Sequence, residues 1–182
     1  MKSVVVTEEE SDVLLLKSLV GEGSNTVEFV KSGGWSAADS LARSYLVDGQ
    51  HDVALVVDAD SYDPRMVEER RRFLTHSLAS VALRTRWQVF VIAPEIEALL
   101  FADRRTLEEL IGRAVSEAEF QEGRFEPKKV LRKLLSGKSR THFFEERLPQ
   151  VDLTPLQKQQ EIEHLRRFLN GARESGGMRA HP

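Results

Sequence analysis

At 182 residues, 41% hydrophobic and 30% charged, the chain has the composition of a soluble globular protein and room for one α/β domain with a sizeable core plus a tail. It lacks cysteine, which excludes disulfides, thiolate nucleophiles, iron–sulfur clusters and cysteine zinc sites. No apolar run approaches the roughly 18 residues that span a bilayer, and the net charge of −3 argues against a surface uniformly coated in positive charge for nucleic acid.

Ser3–Thr7 is short, β-branched and bounded by charge, as a buried strand is. It runs into Glu8-Glu9-Glu10, too short and wrongly flanked for a secretory signal, so a cytoplasmic location is expected. Ser11–Val20 has helix length and stops at Gly21. Thr26–Val30 alternates as a strand, Ser32-Gly33-Gly34 breaks it, and Trp35–Val47 carries apolar residues at helical spacing. Asp52–Val57 is the most strand-like segment and runs straight into Asp58-Ala59-Asp60, which predicts a central strand. After Asp63-Pro64 a helix is expected over 65–83, then a strand over 87–93, a helix opened by Pro94, and helical character over 106–111.

Strands alternating with helices predict a mainly parallel four-stranded sheet covered on both faces, a Rossmann-like α/β domain over about residues 1–112. Beyond Gly112 the strand signal ends. Residues 127–135, 139–146 and 155–169 read as helices of an extension packed on the sheet (113–170), and 171–182 as a polar, disordered tail. Acidic residues crowd the start, whereas Arg124, Lys128, Lys129, Arg132, Lys133, Lys138, Arg140 and Arg147 make the later part basic, which suits a phosphate backbone facing an acidic site.

The acids carry the chemistry. In an extended chain Asp58 and Asp60 point to the same side, and two like charges at the end of a buried strand need a cation. Working crevices of open α/β sheets lie beyond the carboxyl ends of the strands, where Glu8 and the Asp58/Asp60 pair both fall. Asp12, four residues after Glu8, adds a further oxygen donor at the start of the first helix. Such an all-oxygen set suits Mg²⁺ or Mn²⁺. Histidine adds nothing, since His51, His76, His142, His164 and His181 include no pair at helical ligand spacing. Gly137-Lys138-Ser139 resembles the end of a phosphate-binding loop, but Arg132 stands where its first glycine is required.

Val4-Val5-Val6-Thr7-Glu8-Glu9-Glu10-Ser11-Asp12, followed later by Leu55-Val56-Val57-Asp58-Ala59-Asp60, resembles the pattern of Toprim domains over about the first 110 residues. Glu9 and Ser61 stand where many Toprim sequences have glycine. The second of these sets the chain apart from the primase and topoisomerase branches, and Ala93-Pro94-Glu95-Ile96-Glu97-Ala98-Leu99-Leu100 after the fourth strand looks more like the small and overcoming-lysogenization-defect nuclease types. The resemblance implies a metal at the acidic cluster, with Glu97 as an added ligand beside Glu8, Asp12, Asp58 and Asp60. It also implies hydrolysis of phosphodiester bonds in DNA or RNA through Glu8, Asp58 and Asp60, while Glu95 is a weaker candidate than Glu97. Lys128 or Lys129 would neutralise the phosphate. Two alternatives stay open: a Toprim subunit that works with an ATPase partner in a larger defence or repair assembly, and a phosphatase of the haloacid dehalogenase type.

Overall fold

The structure is a computed structural model that describes residues 2–21, 27–82 and 84–176. In chain order the elements are β1 (Lys2–Thr7), α1 (Glu10–Val20), β2 (Val27–Lys31), α2 (Trp35–Asp48), β3 (His51–Asp58), α3 (Pro64–Ala79) and β4 (Trp87–Ile92). There follow a 3₁₀ segment, Ile96–Ala102, and the helices α4 (Arg104–Ile111), α5 (Glu117–Gly123), α6 (Pro127–Leu134), α7 (Arg140–Arg147), α8 (Thr154–Gln157) and α9 (Gln160–Gly176). Among the described residues no helix is long and apolar enough to cross a membrane.

The four strands form one sheet in the order β2-β1-β3-β4, every pair parallel. The apolar runs of β1, β3 and β4 follow from burial on both faces, whereas β2 at the edge alternates and is only partly buried. Val5, Ala54, Val56, Phe90 and Ile92 point to one side and pack on Leu15, Leu16 and Leu19 of α1. Val4, Val6, Val53, Leu55, Val57, Val89 and Val91 point to the other and pack on α2 and α3 through Ala38, Ala42, Leu46, Leu74 and Leu78. The first face has only α1 as a crossover helix, which leaves the half over β3 and β4 to be covered. The C-terminal helices cover it. Leu165, Phe168 and Leu169 of α9 join that core, with the Phe168 ring 6.3 Å from that of Phe90.

From β1 the chain leaves toward β2 by way of α1 on one face, and from β3 it leaves toward β4 by way of α3 on the other. β1 and β3 are adjacent, so the order of connections reverses between them and opens a crevice at their carboxyl ends.

The structure departs from the sequence reading in the connections. Pro94 opens no helix: Glu95 is extended and the segment after it is 3₁₀, with the Pro94 carbonyl accepting from the Asp60 amide at 2.8 Å. The helix expected over 155–169 is split into α8 and α9, and Gln159 between them donates through Nε2 to the carbonyls of Leu99 and Leu156. α5 was not expected at all. The polar stretch from Gly171 is helical as far as Gly176. Thr26, Leu83, His181 and the remainder of the expected tail lie outside the described residues.

Candidate functional site

β1 ends in Thr7 and delivers Glu8 to the crevice, and β3 ends in Asp58 beside it. Glu8 Oε1 accepts the backbone amide of Asp58 at 3.0 Å, which ties the two strand ends together through the side chain that the sequence places at the centre of the site. The Gly33 amide donates to the Glu8 carbonyl at 2.8 Å. Gly33 and Gly34 have φ of 98° and 119°, a region that favours glycine, so the turn under β1 fixes these residue types.

Asp58 is buried, and each of its oxygens has a donor: Oδ1 accepts from the Ile96 amide at 2.7 Å and Oδ2 from Lys128 Nζ at 2.5 Å. Lys128 sits in the first turn of α6, where its amide donates to Glu95 Oε2 at 3.0 Å. Glu95 therefore anchors the start of the helix that carries the lysine. Lys128 also lies 3.6 Å from Glu9 Oε1. Arg140, at the start of α7, pairs with both Glu9 and Glu97. Ser139 caps that helix by accepting from the His142 amide, so the Gly137-Lys138-Ser139 motif serves a helix start.

Asp12 occupies the third position of α1 and accepts the Glu9 amide through Oδ2 at 2.9 Å, half of a capping box. Its other oxygen, Oδ1, is buried without a hydrogen-bond partner, as are both carboxylate oxygens of Glu97. Glu97 is 1% exposed and meets Arg140 as a close ion pair outside hydrogen-bonding geometry. Asp60 stands apart: its backbone turns to φ 52°, and its carboxylate accepts from Arg70 Nη1 at 2.7 Å. The same Arg70 nitrogen donates to the Asp58 carbonyl at 2.8 Å.

Four of the acids assigned from sequence, Glu8, Asp12, Asp58 and Glu97, are held above the ordinary carboxyl range. Burial raises the Glu8 carboxyl, and the charges of Asp58 and Asp60 add to it against the Asp58 amide. Burial pushes Asp12 up to about 7, helped by the Asp58 charge, and Glu97 up to about 8 against the pull of Arg140 and Lys128. Asp58 is raised by burial despite its bond to Lys128. For Lys128 itself burial acts downward, but the charges of Glu97, Asp58 and Glu9 outweigh it and hold the ammonium above the ordinary lysine value.

Lys128 thus lies inside the site, whereas Lys129 faces Glu122 and Glu126 on the outer side of α6. Among the described residues no three His, Asp or Glu side chains converge as ligands of one ion; Lys128 and Arg140 reach in between the acids. The donor set still fits a hard divalent cation in its chemistry, because it is all oxygen and three of its buried carboxylate oxygens lack donors. Sequence reasoning missed Arg140 and Arg70 as site residues and gave Glu9 no role. Arg140 and Glu9 meet across 131 positions, and Arg70 meets Asp60 across 10 and Asp58 across 12, separations that no helix or strand periodicity signals. Comparison with family models, with curated proteins and with solved structures finds no match for the chain.

Proposed function

We propose that the protein is a metal-dependent phosphodiester hydrolase acting on nucleic acid, of the Toprim nuclease type. The observation that carries this reading is the side-by-side placement of Glu8 and Asp58 at the carboxyl ends of adjacent parallel strands, where the connections reverse, with Lys128 of α6 brought against Asp58 and Arg140 of α7 against the neighbouring Glu9 and Glu97. Glu8, Asp58 and Asp60, backed by Asp12 and Glu97, would hold Mg²⁺ or Mn²⁺. Bound there, the ion would supply Lewis acidity at the phosphate and a lowered pKa for water.

The chain's own residues do the rest. Lys128 stays protonated against Asp58 and offers a compact charge to a phosphate oxygen as negative charge develops. Arg140, between Glu9 and Glu97, offers a planar fork suited to a phosphate. Arg70 holds the Asp58–Asp60 turn in place through a carbonyl and a carboxylate.

The test is incubation of the purified chain with plasmid DNA and with RNA in Mg²⁺ or Mn²⁺, beside Asp58→Asn, which keeps an acceptor for the Ile96 amide. Cleavage by the unaltered chain alone, abolished by EDTA, is expected. Cleavage indifferent to Asp58 or to EDTA refutes the reading, and activity of the isolated chain separates it from a subunit that needs an ATPase partner.

A further inference from the structure

Large aromatic side chains are seldom left in water without a use when they gather beside a cleft. Here Trp35, Phe73, Tyr62 and Phe125 are all exposed, the last at 62%, and they form two pairs. Trp35 and Phe73 meet edge to face with centroids 5.8 Å apart, at the start of α2 and on α3. Tyr62 and Phe125 lie 5.2 Å apart, joining the loop after β3 to the turn before α6. Asp60 links the pairs. Its carboxylate is held by Arg70, whose guanidinium carbon lies 5.4 Å over the Trp35 ring. On its other side Asp60 borders a cavity of about 280 Å³ walled by Tyr62, Phe125, Pro94 and Lys129.

We infer that these rings are stacking platforms for unpaired bases, so that the substrate of the neighbouring acidic site is a single-stranded polynucleotide or a single-stranded segment of one. The inference rests on the phosphodiesterase reading for the site, and it adds the substrate class. In a duplex the base faces are stacked on one another, and an exposed protein ring reaches them only when the strand is unpaired. Stacking is tolerant of sequence, and a cation beside the ring strengthens it; Arg70 stands over the Trp35 ring, and Lys129 lines the cavity with Tyr62 and Phe125. Glu95 and Glu126 also line the cavity, and carboxylates accept from the exocyclic amino groups of cytosine. The cavity is near the lower end of small-ligand pockets, roughly 300 Å³, a size suited to one flat heterocycle rather than to a helix. Rings on both sides of Asp60 would splay successive bases and leave the phosphate between them facing the acids.

The experiment uses the full chain carrying Asp58→Asn, in Mg²⁺, with fluorescein-labelled oligo(dT), oligo(rU) and a blunt DNA duplex of the same length, read by anisotropy. Tighter binding of single strands than of duplex is expected. Phe125→Ala and Trp35→Ala should each weaken single-strand binding about tenfold, as the loss of one stacked base does, and leave duplex binding unchanged. Quenching of tryptophan emission by oligo(dT) should disappear in Trp35→Phe, which keeps the fold and the packing on Phe73. Equal binding of single strands and duplex, alanine variants that bind as tightly as the parent, or no binding of any oligonucleotide, which would make the patch a protein interface, overturns the inference. Metal-dependent, Asp58-dependent cleavage with inert rings overturns the stacking role and leaves the hydrolase reading standing. Ring-dependent binding without such cleavage does the reverse.

Discussion

Glu97 offers the sharpest test of the charge balance in the site. It is 1% exposed, its carboxylate makes no hydrogen bond, and burial, against the pull of Arg140, lifts its pKa to about 8 from the ordinary value of about 4.3 for the unfolded chain. Between those pH values the folded, metal-free protein holds a proton that the unfolded chain has lost. Stability therefore falls as pH rises through this window, with a slope of up to about 1.4 kcal/mol per pH unit for the one group. Integrated over the window the upper bound is about 5 kcal/mol. Asp12, lifted to about 7, adds a fall of the same sign over the lower part of the range. Urea unfolding in EDTA at pH 5, 6, 7 and 8 should show a decline, and Glu97→Gln should flatten it most between pH 7 and 8, where Asp12 has already ionised. On the proposed function a divalent ion would bind the ionised carboxylates of the folded state, so Mg²⁺ should stabilise the parent more at pH 8 than at pH 6. A pH-independent midpoint in EDTA, or a Gln variant whose slope above pH 7 matches that of the parent, would refute the assignment of a buried acid that holds its proton at neutral pH.

Lys128→Met removes the ammonium that lies 2.5 Å from Asp58. On the hydrolase reading, divalent-ion affinity measured by calorimetry should rise, because a competing cation is gone, while the rate of phosphodiester cleavage should fall by about 10²–10³, the loss typical of a removed charge-stabilising group; a fall in both would mean that the lysine merely supports the fold. At Gly123, an added Cβ would lie 1.9 Å from the ring carbon Cε1 of the buried Phe101. Gly123→Ala should therefore cost about 1–3 kcal/mol through overpacking, read as a lower urea midpoint, and an unchanged midpoint would mean that the ring moves aside freely.

Which of these features can be read from sequence follows from the range of the interactions behind them. β3 is legible because a strand buried on both faces has to be apolar throughout, and Asp58 stands out as the first charge after Val53–Val57. Glu8 is legible for the same reason at the end of β1. The partners of these acids are not, since Lys128 meets Asp58 across 70 positions and Arg140 meets Glu9 across 131; within α6 and α7 both read as ordinary basic helix residues. The 3₁₀ segment after β4 illustrates a different limit. Pro94 is as good a helix opener as Pro64, but the Pro94 carbonyl is engaged by the Asp60 amide and the Ile96 amide by Asp58, so the site itself dictates the backbone that follows β4. α5, by contrast, carried a local signal that periodicity over so short a helix obscures: Ser116 and Glu119 form a complete capping box, the Ser-x-x-Glu pattern that marks a helix start. The acids of a strand-end site announce themselves because burying them conflicts with everything local around them. The cations that make the burial tolerable are supplied by tertiary folding: α6 and α7 bring them, in the same C-terminal extension whose α9 completes the uncovered half of one sheet face.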